Sequence, residues 1–237
     1  GIPVMNTLLP PLLRPLLLLA LLAPVAAQAQ FRWQEGKDYT VISPAIVSGM
    51  APAGKIEVTE VFSYGCPACY QAMAEVKRLK EGLPPDAALT YVHASFVPSE
   101  AWPMFQRAWL TARALGIAEE NHERLFVATW QTAEFPLMDK ASGRVRSPLP
   151  TIEDAAAFYA KHSKVTAAEF LAKARSPEIE AQVRAQDEFV KAGKIPGTPS
   201  FVVNGRYLVN NSAVGSWNGI RQLIDFLVAQ ERARLKK

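Results

Sequence analysis

The sequence predicts an α/β fold in which a strand, helix, strand unit and a later β-hairpin with a terminal helix are separated by a long helical block. Three observations carry this. A β-branched run, Lys55 to Phe62 (KIEVTEVF), is followed by a helical stripe and then by a strand-like run, Leu89 to Phe96 (LTYVHASF). From residue 98 to residue 189 one helix start follows another. Strand character returns at Ser200, where Asn204-Gly205, a strong short-range hairpin signal, joins two short runs.

The elements can be justified in chain order. After Met5 and the single charge at Arg14 comes the apolar run LLLLALLAPVAA, Leu16 to Ala27, ahead of Ala27-Gln28-Ala29. The small residues at 27 and 29 suit a signal peptidase, and the run is too short for a spanning helix of ~20 residues. Residues 1–29 are therefore expected to be a signal peptide, with residues 1–4 as an upstream extension and the mature chain starting at about Gln30. Asp38 to Ile42 reads as a short first strand. Lys55 to Phe62 is the second, ending in a turn at Ser63 to Gly65.

Pro67 opens a helix whose Ala72, Met73, Val76 and Leu79 form one apolar stripe, and Gly82, Pro84 and Pro85 stop it. In the helical block, Ser99 is expected to cap a helix carrying Trp102, Phe105, Trp109 and Ala112 on one face. A second helix is expected from Ala118 to Trp130, and residues 133–150 read as a loop. Further starts lie at Thr151, at Thr166 with Glu169 as a capping box, and at Ser176-Pro177, where Ile179, Val183 and Val190 share a face. Ser200 to Val203 and Arg206 to Val209 form the hairpin. The last helix, Ser216 to Arg234, turns Ile220, Leu223 and Leu227 inward.

Composition narrows the function. The 237 residues are 49% apolar and 20% charged, which is ordinary for a globular protein, and the net charge of +4 is scattered without a basic block that could track phosphates. Nucleic acid is not an expected partner.

The chain has only two cysteines, Cys66 and Cys69, in the stretch FSYGCPACY. Pro67 favours the first helical position, so Cys66 falls at the cap, with its sulfur near the free N–H groups of the first turn. The positive end of a helix lowers a thiol pKa, and the thiolate is the nucleophile of thiol-disulfide exchange. Cys69 lies one turn on, where it can attack a mixed disulfide formed at Cys66. A structural disulfide closing so short a loop would restrict little unfolded-chain entropy. A structural zinc site wants four ligands, whereas His93, His122 and His162 stand isolated in sequence and read as surface or packing residues. A periplasmic copper or zinc carrier using the two thiols needs fewer ligands and stays open as an alternative.

These residues resemble a known family. FSYGCPACY after a strand carrying Glu60, EGKDYTVISP near the mature N-terminus and GTPSFVVNGRY before the terminal helix are similar to the periplasmic DsbA family of thiol-disulfide oxidoreductases, over nearly the whole mature chain. The resemblance implies a thioredoxin fold with an inserted helical domain: residues 30–97 and 190–237 would form the thioredoxin-like domain and 98–189 the insertion. It implies that Cys66 is the exposed nucleophile and Cys69 the buried resolving thiol of a redox-active disulfide. It also implies that Pro199 is cis and faces that disulfide, that the Thr198 backbone can hydrogen-bond an extended substrate strand, and that Glu60 relays a proton for Cys69.

The activity implied is insertion of disulfide bonds into reduced or unfolded exported proteins in the periplasm, with reoxidation by a membrane DsbB-type quinone-linked partner and no cofactor. Reductase or isomerase activity on the same fold is the alternative within enzymes. The best-known strongly oxidising members carry His where this chain has Ala68, beside Pro67. A methyl group cannot stabilise the Cys66 thiolate as an imidazole can, so a smaller pKa shift is expected. The segment Gln30 to Gly65 is too short for the N-terminal dimerisation domain of the isomerases, which favours a monomer. Phe62, Tyr64, Trp102, Met104 and Phe105 are candidates for a shallow apolar groove that would take unfolded chains.

Overall fold

A computed structural model describes residues 33–236, so the signal peptide expected over 1–29 lies outside the described residues. Five strands, β1 (Tyr39–Val41), β2 (Ile56–Phe62), β3 (Ala87–His93), β4 (Ser200–Val203) and β5 (Tyr207–Val209), form one sheet in the order β1-β5-β4-β2-β3. β2 and β3 run parallel and are joined by α1 (Pro67–Gly82), whereas β2–β4, β4–β5 and β5–β1 are antiparallel. This mixed sheet with its interposed helices is a thioredoxin-like fold. Between β3 and β4 lie α2 (Trp102–Ala114), α3 (Ala118–Val127), α4 (Ile152–His162), α5 (Ala167–Ala174) and α6 (Pro177–Ala192). After β5 come a short α7 (Asn211–Val214) and the long α8 (Trp217–Leu235).

β2 lies between β4 and β3, and all seven of its residues are buried. Because side chains alternate across a strand, the two faces serve two cores. Val58 and Phe62 pack with Ala72, Val76 and Leu79 of α1 and with Leu223 and Leu227 of α8, while Val61 joins Val92, Val202, Phe189 and Ile195 on the other face. Burying a side chain such as Phe62 stabilises the fold by roughly 2–3 kcal/mol. Glu60 lies on the α1 face, in register with Tyr91 of β3 and Phe201 of β4. The hairpin turn holds Asn204 at φ 48° and Gly205 at φ 62°. A Cβ on Gly205 would lie 1.7 Å from the Ile46 carbonyl oxygen, so only glycine fits.

Several boundaries differ from expectation for identifiable reasons. β3 ends at His93 and not Phe96, because beyond it the chain has no strand partner. Ala94 N–H reaches the last carbonyl of β2, at Phe62, and the N–H of His93 is taken by the Gln186 side chain at 2.9 Å. Ser99 does not cap α2. Pro98–Glu100 make their own 3-10 turn, and the cap is Ala101 in left-handed geometry at φ 61°. α3 stops at Val127 and passes into a π-helical turn over Ala128–Thr132. The expected loop holds an isolated bridge between Met138 and Val145. Thr151 and Thr166 form capping boxes with Asp154 and Glu169, and α7 was not foreseen.

In α6 the buried positions are Ile179, Gln186 and Phe189, while Val183 and Val190 are half-buried. The polar Gln186 earns its buried place through the bond to His93, which an apolar pattern cannot register.

Candidate active site

The site is built where β2 turns into α1. Cys66 N–H donates to the Ser63 carbonyl at 3.1 Å, and Gly65 N–H to Ser63 Oγ at 3.1 Å, which sets the turn. Cys66 is then the N-cap of α1 at φ −95°, ψ 114°, with Pro67 next, and its Sγ accepts the Cys69 N–H at 3.4 Å. A cap position leaves the first-turn N–H groups pointing at the sulfur. From the far side, the Cys66 thiol donates to the Thr198 carbonyl at 3.4 Å, and the Thr198–Pro199 bond is cis.

Both cysteines are free thiols in this structure, and their electrostatics diverge. The Cys66 pKa is lowered to about 6, first by its hydrogen bond with the Cys69 side chain and then by the Thr198 side chain and the N–H groups of Cys69 and Ala68, which together outweigh burial. Burial, the bond to Cys66 and the charge of Glu60 push the Cys69 thiol well above its ordinary range. Cys66 is thus a thiolate at neutral pH and Cys69 stays protonated. Glu60 is 3% exposed, and burial, reinforced by Cys66, raises its carboxyl to about 8. Glu60 and Cys69 line one cavity of about 430 Å³ between α1 and α3.

The structure brings together Cys66, Cys69 and Thr198-Pro199 on one side and Cys69 and Glu60 on the other. It corrects two expectations. Cys66 is only 6% exposed, because the Thr198 loop and the helix cap close around it, although it remains more accessible than Cys69 at 1%. Pro67 and Ala68 are the exposed residues of the motif. The aromatic groove is also not made of the residues singled out: Phe62, Tyr64 and Phe105 are fully buried, and Trp102 nearly so. Met104 is half-buried beside Pro98, Pro103 and Gln106, on a separate pocket.

Sequence reasoning missed how Tyr64 is held. Its N–H donates to His93 Nε2 at 3.2 Å, its carbonyl accepts Trp130 Nε1–H at 2.8 Å, and its hydroxyl lies 2.9 Å from His122 Nδ1. Burial keeps both His93 and His122 neutral, each lowered to about 3. The neutral His122 ring sits among Phe62, Tyr64, Tyr91, Trp109 and Phe126, with centroids 4.7–5.5 Å away. The cysteine turn is therefore fastened to β3, α3 and the π-helical turn through one residue. The Trp102 ring also packs on Gly65, where a Cβ would lie 2.6 Å from Nε1. The only local hint was an aromatic residue two positions before a reactive cysteine, since its partners lie 29, 58 and 66 residues away.

Among the described residues, no group of three or more His, Cys, Asp or Glu is arranged to hold a metal ion. A family model described as thioredoxin matches residues 44–225. The chain is 30% identical over 226 residues to the thiol:disulfide interchange protein DsbA of Pseudomonas aeruginosa, covering 95% of this chain and 98% of that one. It is 31% identical over 220 residues to DsbA of Burkholderia cepacia, covering 91% and 93%. Among solved structures, the oxidoreductase DsbA from Xylella fastidiosa superposes with a TM-score of 0.71 at 32% identity, covering 84% of this chain and 97% of that one. Pseudomonas aeruginosa DsbA does so with a TM-score of 0.70 at 29% identity, covering 86% and 97%.

Proposed function

The chain belongs to the DsbA family of thiol:disulfide interchange proteins, and on that premise we propose that its Cys66–Cys69 disulfide is donated to exported proteins in the periplasm. It is a thiol-disulfide oxidoreductase of thioredoxin fold. The observation that carries the oxidising direction is the paired environment of the cysteines. A Cys66 thiolate capping α1 stabilises the reduced enzyme, and a stabilised reduced form is a stronger oxidant.

In the oxidised enzyme, a substrate thiolate attacks Cys66 Sγ, the Cys66–Cys69 bond breaks, and Cys69 leaves and takes a proton held at Glu60. A second substrate thiol loses its proton, attacks the substrate sulfur of the mixed disulfide, and expels Cys66 as a thiolate. Two electrons pass from substrate to enzyme, one proton rests on Cys69 and one is released. The Thr198 loop, whose carbonyl contacts Cys66, is where an extended substrate segment would lie.

The apolar run Leu16 to Ala27 and the cleavage-like Ala27-Gln28-Ala29 support export by a cleavable signal peptide, with the mature chain from about Gln30. No helix among the described residues is long and apolar enough to cross a membrane. The division into a thioredoxin-like domain of residues 30–97 and 190–237 and an insertion of 98–189 is supported by α2–α5, which fall within 98–189, while α6 runs across the second boundary. Reoxidation falls to a DsbB-type, quinone-linked membrane partner, and a monomer suffices for the site.

The test is oxidation of a reduced secreted protein. Cys66→Ser should abolish it, and retained activity overturns the mechanism. Equilibration of the pair with glutathione fixes the direction. A strongly reducing potential, near the thioredoxin value of about −270 mV, would replace the oxidase reading with a reductase one.

A further inference from the structure

The residue that leads into the nucleophile is a glycine. Gly65 has no side chain, and the peptide planes that flank such a residue turn freely. That freedom cannot be removed by adding a side chain, because a Cβ at position 65 would lie 2.6 Å from Trp102 Nε1 and 2.8 Å from its Cδ1. The stiffness that holds Cys66 has to come from elsewhere. The Tyr64–Gly65 peptide plane is pinned at both edges: its N–H donates to Ser63 Oγ at 3.1 Å, and its carbonyl accepts Trp130 Nε1–H at 2.8 Å.

Trp130 is a half-buried residue of the π-helical turn Ala128–Thr132 that follows α3. The Thr129 hydroxyl donates to the Leu125 carbonyl at 2.8 Å, a back-bond of the kind that bends helices. π turns are rare and recur at functional sites. Gln131, the next residue, accepts the Tyr70 hydroxyl at 3.4 Å. Tyr64 and Tyr70 stand on either side of the Cys66 to Cys69 motif, so this one turn of the helical block grips the reactive segment before and after its cysteines.

We propose that Trp130 is a positioning residue for thiol-disulfide exchange: its indole N–H locks the Tyr64–Gly65 plane, keeps Cys66 Sγ at the cap of α1 and thereby strengthens the enzyme as an oxidant. The inference rests on Cys66 being the exchanging thiol. The cap N–H groups favour a sulfur that carries charge, so they stabilise the reduced enzyme and do little for the disulfide, in which both sulfurs are neutral. A cap lost by rotation of one peptide plane is therefore lost mainly by the reduced form.

The test removes the N–H and keeps the ring. Benzothienylalanine, introduced at position 130 by codon suppression, has the shape of tryptophan with sulfur in place of the N–H, and Trp130→Phe is its encoded counterpart. Each should move the equilibrium of the Cys66–Cys69 pair with glutathione about fivefold toward the disulfide, the size of one net hydrogen bond. Urea unfolding of the two redox forms should show the reduced protein losing more stability than the oxidised protein. A glutathione equilibrium that the benzothienyl variant leaves unchanged, or moves toward the dithiol, overturns the proposal. So does a shift in Trp130→Phe that benzothienylalanine does not share, since ring packing would then be the cause. Failure of the exchange reading shows elsewhere, as oxidation retained by Cys66→Ser, and failure of the oxidising direction shows in the native potential. The ratio of variant to native is read without reference to either.

Discussion

Cys66 and Cys69 occupy one turn of one helix, yet they have opposite chemistry. Cys66 has the helix cap, the Thr198 loop and a thiol pKa lowered to about 6, whereas Cys69 has Glu60, the apolar wall of α1 and a thiol pushed upward. Spacing makes two thiols a pair. The elements that arrive from elsewhere, β4 with its preceding loop on one side and β2, β3 and α3 on the other, set which thiol is acidified and which keeps its proton.

The contrast can be broken most severely at its buried half. Cys69→Ser should keep Cys66 reactive but stop resolution within the enzyme, so catalytic turnover falls to background while mixed disulfides with substrate accumulate on non-reducing gels. Next comes Glu60→Gln. Glu60 has a folded pKa raised to about 8 from an ordinary 4.5, so its stabilising contribution is complete below pH 4.5 and is lost as pH rises through 8. The variant should remove that slope and raise the stability of the reduced protein above pH 8 by on the order of 3–5 kcal/mol, measured by urea unfolding across pH.

Gly65→Ala sharpens the comparison from the turn itself, because the new methyl meets the Trp102 ring. A loss of about 1–3 kcal/mol is expected, with partial recovery when Trp102→Leu is added. The smallest effect belongs to the exposed half. Ala68→His places an imidazole beside Cys66 and should lower the midpoint of its ultraviolet thiolate absorbance, near pH 6 in the native protein, by about one unit. The same variant should leave Cys69 protonated. For Cys66 the sign is opposite to that of Glu60: its thiolate stabilises the reduced fold fully above pH 9, and the contribution is lost as pH falls through about 6.

Legibility in the sequence followed locality. The elements of the strand, helix, strand unit, the Asn204-Gly205 hairpin and the caps at Thr151, Thr166 and Ser176 depend on residues within about four positions of one another, and they form where read, with shifts only at strand ends such as that of β3. Cys66 at the cap was legible because Pro67 sets it there. The cis Thr198–Pro199 bond and the buried Glu60 came from family resemblance, since neither periodicity nor composition distinguishes Glu60 from a solvent-facing strand residue. Tyr64 is only a candidate groove residue in the sequence, because an aromatic side chain gives the same signal whether it packs inward, as here, or lines a surface. Its bonds to Trp130 and His122 exist only once the helical block is docked. Gln186 was invisible for the converse reason: its buried Oε1 accepts from a backbone N–H far away in the chain.

α6 has a consequence for cooperativity. Its first turn puts Ile179 in the core shared with the helical block, and its last turns put Phe189 in the core on the opposite face of the sheet. One continuous rod thus spans both bodies of packing, and Gln186 midway along it is bonded to the end of β3. Neither body can melt without pulling ordered residues out of the other. Heating should therefore give a single calorimetric transition whose calorimetric and van't Hoff enthalpies agree, and a helix-breaking Ala185→Pro in the middle of α6 should split it in two.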